Sequence, residues 1–263
     1  MPHALARLIV LLNDEERSTV EVGRVVASDR ALCTTVLRAA NSAALGGVVR
    51  IDSVPEAVAR LGAHRMLRIT LSQLAGDLLT RGGQGYGLEE GSAWEGALAG
   101  GLAAEMLARR CAITPGTAMT CSLLRDCGKL AMDELCGVEV MQRTLTSASE
   151  GQSQLEIERR AFGWDHAEVG TLLARTWNLG EEIELAVRWH HEPWRSGGSR
   201  LVDIVHASDV VASQLGCGIG LDGLAYALDA EALSRVGVDR FVLCELMADT
   251  SVALQELVAQ LSI

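Results

Sequence analysis

The chain has 263 residues, 49% hydrophobic and 3% aromatic, enough apolar material for one large domain or two small lobes. Its formal net charge of −11 repels phosphate backbones and anionic headgroups, which excludes general binding to nucleic acid or to membrane surfaces. Seven cysteines (Cys33, Cys111, Cys121, Cys127, Cys136, Cys217 and Cys244) form an odd set with no C-x-x-C pair, so they read as reduced core thiols and not as a disulfide framework or zinc knuckle.

The first residues are apolar only as far as Leu12, with no basic leader and no small-residue cleavage site. No apolar run is long enough to span a bilayer, and the expected compartment is the cytoplasm. Ala and Leu dominate and strand-type alternation is missing, so the chain reads as all-α. Helices are expected, to within roughly two to four residues, at 3–13, 18–27, 30–42, 54–61, 63–80, 93–111, 115–125, 129–147, 153–162, 166–177, 181–191, 200–215, 230–236 and 240–261, the last as one helix or two. Ser-x-x-Glu pairs at Ser18/Glu21, Ser53/Glu56, Ser92/Glu95 and Ser153/Glu156 are capping boxes by pattern. Pro115 suits a first helical turn, and Gly62, Gly163 and Gly180 read as helix stops. The Gly-rich stretch RGGQGYGLEEGS marks a boundary between a sub-lobe over 1–81 and another over 92–263; 196–199 and 216–223 are further loose stretches.

In the first lobe Val22, Val25 and Val26 form one apolar stripe, and Leu32, Val36 and Leu37 another, as in a small helical bundle. Asn41 and Ser42 end a helix rich in small residues. An Asn there bonds free carbonyls or a neighbouring loop; a ligand-binding role is the alternative.

The segment SDRALCTTVLRAANSAALGG with IDSVPEAVARLGAHRMLRI resembles the HDOD pattern. Asp29, Leu32, Leu37, Arg38, Ala40, Asn41, Ser42, Ala43, Ser53, Ala57, Leu61 and Gly62 carry the match, while Arg30 replaces the usual Pro. The resemblance extends over nearly the whole chain. It implies one HDOD module over 1–263, an N-terminal helical bundle lobe packed with a degenerate HD-like helical lobe. HDOD domains resemble the HD metal-dependent phosphohydrolases in fold but are generally regulatory, often attached to response regulators or second-messenger proteins.

HD enzymes hold one or two divalent metals with histidine nitrogens and carboxylate oxygens drawn from several helices. By that resemblance SAWEGAL places Gly96 where the first His would stand. LLRDCGKL places Arg125 in place of the His of the His-Asp pair and keeps Asp126, with Gly128 and Lys129 in matching surroundings. GWDHAEVGTLLARTWNL keeps His166, AVRWHHEP keeps His190 and His191, and LVDIVHASDVVASQLG keeps Asp209. Gly has no donor atom, and Arg is permanently cationic without a free lone pair. The expectation is a vestigial site with no catalytic residue, metal or cofactor, in which Arg125 pairs with Asp126 or Asp209.

Plainer roles are expected around it. His166, behind the N-cap candidate Asp165, is a satisfied structural polar group. His190 and His191, adjacent on a helix, diverge, so at most one points at any shared spot. His206 and Asp209 share a helix face, where a hydrogen bond between them is as good a reading as a site. Lys129 is a solvated lysine. Trp94, Trp164, Trp177, Trp189 and Trp194 pack the core around the old site.

The function so implied is a non-catalytic regulatory or scaffold module of bacterial signal transduction, acting by protein–protein contact with other signalling proteins. One alternative is a nucleotide or anion sensor that uses Arg125 and Lys129 without hydrolysis. The other is a metal-dependent phosphohydrolase or cyclic-dinucleotide phosphodiesterase built on Asp126, His166, His190, His191 and Asp209. No GYP-like segment accompanies them, and no receiver or cyclase segment is visible.

Overall fold

A computed structural model describes residues 7–8, 11–12, 18–41, 51–62, 65–66, 69, 83–147, 151–221 and 228–261. Among these residues the secondary structure is helical, with no strand. Ser42 and most of the expected helices at 3–13 and 63–80 lie outside them. The chain divides into two compact units, one formed by Met1–Asp77 with Trp177–Leu179, the other by Leu78–Thr176 with Gly180–Ile263.

In the first unit α1 (Thr19–Ala27) packs on α2 (Arg30–Ala40), and α3 runs over 54–62. Helical spacing puts Val22, Val25 and Val26 on one buried face of α1, and Leu32, Val36 and Ala40 on one buried face of α2. Each such Val or Leu contributes about 1.5–3 kcal/mol by leaving water. Leu37 is only half-buried. Asp29 starts α2, its carboxylate accepting from Leu32 N at 3.0 Å. Asn41 ends α2 with its amide turned to the backbone. Nδ2 donates to Leu37 O at 2.9 Å and Ile51 O at 2.7 Å, and Oδ1 accepts from Ile51 N at 2.8 Å. The amide thus ties the helix end to the chain ten residues on, as a strand neighbour would. Gly62 closes α3 at φ 69°.

The second unit is built from α4 (Ser92–Arg110), α5 (Pro115–Leu124), α6 (Cys127–Cys136), α7 (Val138–Thr146), α8 (Gln154–Phe162), α9 (His166–Thr176), α10 (Glu181–Trp189), α11 (Arg200–Gln214), α12 (Ala230–Arg235) and α13 (Arg240–Leu261). Helix α4, rich in Ala and Gly, is buried along most of its length and lies against α5, α11 and α13. Small side chains let these axes approach closely. Helix α9 lies against α6 and α10.

Three local expectations need correction. The helix expected over 129–147 is two, because Gly137 at φ 81°, ψ 141° breaks the ladder between α6 and α7. Ser92 lies inside α4, whose N-cap is Gly91, and Ser18 caps α1 by position but without a side-chain bond; only Ser153/Glu156 forms the full reciprocal box. Gly180 does not stop α9; it is the N-cap of α10. The C-terminal segment is a single helix of 22 residues.

Beside α6, a turn over 83–88 is held by the Asp133 carboxylate, whose Oδ2 accepts from Gly83 N at 2.8 Å and Gly85 N at 3.1 Å. That turn places Tyr86 in an apolar cluster with Leu88, Met132, Met141, Leu145 and Ile157.

Candidate functional site

Four helix ends of the second unit meet at one point. Arg125 is the C-cap of α5, Asp126 the N-cap of α6, His166 the first residue of α9, and His190 the C-cap of α10. Helix ends carry backbone groups without intrahelical partners, so polar side chains gather there at little extra cost. Helices α6 and α9 can cross this closely because Gly128 has no side chain; a Cβ there would collide with the His166 carbonyl.

Arg125 is 4% exposed and lies across two carboxylates. Nε donates to Asp209 Oδ1 at 2.7 Å and lies 3.2 Å from Asp126 Oδ2; Nη2 stands 2.6 Å from Asp209 Oδ1. Nη1 donates to Ser122 O at 2.8 Å and to Ser122 Oγ at 3.3 Å, and Nη2 reaches Gly96 O at 3.4 Å. Every guanidinium N–H has an acceptor in reach. Two glycines of α4 frame this seat. A Cβ on Gly100 would strike Arg125 Nη1, and a Cβ on Gly96 would lie 2.8 Å from Gly218 Cα.

The histidines stand on the other side of Asp126. His166 is fully buried; its Nδ1 is 2.8 Å from Glu158 Oε2, which also accepts from His166 N at 2.7 Å. A buried carboxylate on Nδ1 sets the tautomer with the proton there and leaves the Nε2 lone pair facing inward. His190, also fully buried, turns Nδ1 to Val187 O at 2.8 Å, which likewise leaves a lone pair on Nε2. His191 Nε2 is 2.9 Å from His166 Nε2. Asp126 Oδ1 lies 3.6 Å from His166 Nε2 and 3.8 Å from His190 Nε2. One donor atom from each of Asp126, His166, His190 and His191 lies within 4.8 Å of all the others. His190 Nε2 is buried without a hydrogen-bond partner, while Asp126 Oδ1 faces the Lys129 ammonium at 3.0 Å. The Nε2–Nε2 contact of His166 and His191 requires one ring to donate, so the cluster holds donors as well as acceptors.

The two sides of Asp126 therefore differ. Asp126, His166, His190 and His191 offer three imidazole nitrogens and one carboxylate oxygen, a donor set that fits a borderline first-row divalent ion. Gly96, Arg125 and Asp209 do not fit one, because the guanidinium covers the carboxylate and Gly96 donates nothing.

Charge balances tightly here. Burial alone would push the Asp126 carboxyl up, but the Lys129 ammonium, 3.0 Å from its Oδ1, together with His190 and Arg125, holds it well below the usual carboxylate range. Burial also pushes the Glu158 carboxyl up, and His166 together with Lys129 brings it below its ordinary value. His191 is held well below the ordinary imidazole value by burial and then by His190 and His166. Burial and the neighbouring Asp126 push the Cys127 thiol up to about 12.

Several sequence expectations change on this geometry. His190 and His191 do not diverge; their rings lie 4.1 Å apart and both reach the cluster, because α10 ends at Trp189 and the helical side-chain rule lapses there. Lys129 is not solvated; it is 9% exposed, one turn after Asp126, with Nζ 5.7 Å above the Tyr86 ring. His206 spends its ring nitrogens on backbone, Nδ1 on His190 O at 2.8 Å and Nε2 accepting from Asp229 N at 3.1 Å. Trp164 and Trp194 are 58% and 57% exposed; Trp164 stands in the bend before α9 and Trp194 in a single 3-10 turn over Pro193–Arg195, neither on an inward stripe of an α-helix. Trp189 is half-buried under the Arg188 and Arg195 guanidinium groups at 4.2 and 5.4 Å. Glu158 and Gly100 escaped the sequence reading. The available signal for Glu158 was an acidic residue one turn after Leu155, on the same face as that apolar side chain.

Residues 1–193 match the HDOD domain family. The chain belongs to the HDOD family. This HDOD chain is similar over 99% of its length to a candidate phosphohydrolase from Shewanella amazonensis SB2B, with 25% identity, TM-score 0.73 and 94% of that chain covered. It shares its fold with an HDOD domain protein of unknown function from Geobacter sulfurreducens (24% identity, TM-score 0.70, 98% and 92% covered). It also shares it with the MmoQ response regulator from Methylococcus capsulatus str. Bath (23% identity, TM-score 0.50, 94% and 96% covered). An uncharacterized protein of Treponema pallidum (strain Nichols) is 26% identical over 196 residues, 73% of this chain but only 37% of that relative. The chain thus spans little more than a third of the curated relative that it matches.

Proposed function

We propose that this HDOD chain is a non-catalytic regulatory module of bacterial signal transduction, working in the cytoplasm by contact with other signalling proteins. Membership of the HDOD family and a fold shared with a response regulator support the signalling context. Among the described residues no helix is long and apolar enough to cross a membrane. The observation that carries the non-catalytic reading is the seat of Arg125. Two-metal hydrolysis requires carboxylates free to bridge or bind both ions. Here Asp209 and one oxygen of Asp126 already face a buried guanidinium whose N–H groups all have acceptors. The same geometry argues against the anion sensor, because neither Arg125 nor the buried Lys129 turns its charge to solvent.

The test is hydrolysis of bis(p-nitrophenyl) phosphate and of cyclic dinucleotides by the full chain incubated with manganese or with iron under anaerobic conditions. Turnover at the level of buffer alone is expected. Turnover above it that disappears in Asp126→Asn would overturn the proposal and favour a phosphohydrolase.

A further inference from the structure

We propose that the groove between α9 and α10 docks an amphipathic helix of a partner protein, with the basic N-terminal turn of that helix on Glu181 and Glu182 and its apolar residues along Leu185, Leu172 and Trp164. The proposal rests on the regulatory reading and names the surface through which the contact is made.

The groove has a volume of about 660 Å³ and is lined only by residues of the second unit. Its apolar lining is turned to solvent. Leu172 is 59% exposed, Trp164 58% and Leu185 36%, with half-buried Trp189 beside them. Large apolar side chains gathered at this exposure mark a contact surface, whereas single scattered ones do not. The charged lining holds the two walls together. Arg175 Nε donates to Glu184 Oε2 at 2.7 Å and Arg188 Nη2 to Glu168 Oε1 at 2.9 Å, each pair joining α9 to α10. These two links fix the shape of the groove before anything enters it, which lowers the entropy lost on docking.

The occupant follows from shape and charge. No strand occurs among the described residues to offer a peptide a sheet edge, and walls made of two helices suit a third. Along α10, Glu181, Leu185 and Trp189 stand four residues apart on one row, a span of about 12 Å or two helical turns. That row passes from acidic through aliphatic to aromatic. Exposed Glu181 and Glu182 open it, and Trp189 closes it under the Arg188 and Arg195 guanidinium groups. A helix that carries Lys or Arg in its first turn adds their charge to the positive end of its own dipole, and so seats that end on the two glutamates. Apolar anchors at i, i+4 and i+7 then lie along Leu185, Leu172 and the tryptophans. A second copy of this chain, at net charge −11, brings the wrong sign to the acidic end.

The experiment titrates the full chain into three fluorescein-labelled synthetic helices of about 18 residues, long enough to hold helical structure, and follows anisotropy. The first has Leu anchors at that spacing and Lys in its first turn. The second has the Lys residues moved to its last turn, and the third has Ser in place of Leu. Saturable binding of the first is expected, at least about 10-fold tighter than that of either other. Leu172→Glu, Trp164→Ala and the pair Glu181→Lys with Glu182→Lys are each expected to weaken it by about 10-fold or more. Phe241→Ala, 73% exposed on α13, is expected to leave it unchanged. If a variant does not fold, the two charge arrangements on the native chain still decide. No saturable binding, equal binding of both charge arrangements, or binding untouched by both Leu172→Glu and Trp164→Ala would each overturn the proposal. So would a native dimer in sedimentation that Leu172→Glu dissociates, since a second copy would then hold the groove. Failure of docking removes this surface alone; the regulatory reading falls only to the phosphodiester turnover described above.

Discussion

A guanidinium and an imidazole can both stand beside a carboxylate, but only the imidazole can share that carboxylate with a divalent ion. An Arg at position 125 therefore changes what Asp126 and Asp209 can do, since both carboxylates face its guanidinium. It was legible in sequence because the flanking residues of LLRDCGKL align the position without ambiguity. The convergence of His190 and His191 was not, since it depends on α10 ending at Trp189, two residues before the end expected from sequence. Nor was the burial of Lys129, which is tolerable only because Asp126 waits one turn away. His206 yields a pH prediction at this scale. Burial lowers its folded pKa below the unfolded value of about 6.5. Between those two values the unfolded chain binds a proton that the folded chain does not. Its contribution to stability is therefore complete above about pH 6.5 and is lost as pH falls toward the folded pKa. Urea midpoints at pH 7.5 and 5.5 are expected to show a smaller acid-induced drop in His206→Gln than in the native chain; equal drops would contradict this.

At the scale of the element, the glycines of α4 decide what fits against α5 and the loop at 217–218. Gly100→Ala would press a methyl on Arg125 Nη1 and place it 2.9 Å from Ser122 Oγ, and a loss of about 1–3 kcal/mol is expected on chemical denaturation. Gly96→His combined with Arg125→His restores the family's ligand types on paper. It is nevertheless expected to lower the melting temperature, because Gly218 lies where the new side chain must pass. An unchanged or raised melting temperature would refute this. On α8, Ser153→Ala is expected to cost about 1 kcal/mol through loss of the capping box. Helix type and order could be read from apolar spacing and caps. The break at Gly137 could not, because Gly within an Ala- and Leu-rich run is tolerated often enough to hide a true stop.

At the scale of the whole molecule, a chain of net charge −11 buries a cluster of four donor atoms beside two internal cations, Arg125 and Lys129. The acidic exterior suits a partner that is not a polyanion. The interior centre is held by residues from α5, α6, α9, α10 and α11, so its electrostatics bear on the stability of the entire second unit. The most direct measurement is a double-mutant cycle on the global unfolding free energy, with Arg125→Met, Asp209→Asn and the pair of substitutions together. If Arg125 stands as the cation of this site, each single substitution is costly, and the pair costs less than the sum of the two by about 2 kcal/mol or more. Single costs that add to within about 0.5 kcal/mol would mean that the guanidinium and Asp209 do not depend on each other, and Arg125 would lose its place as the metal's substitute.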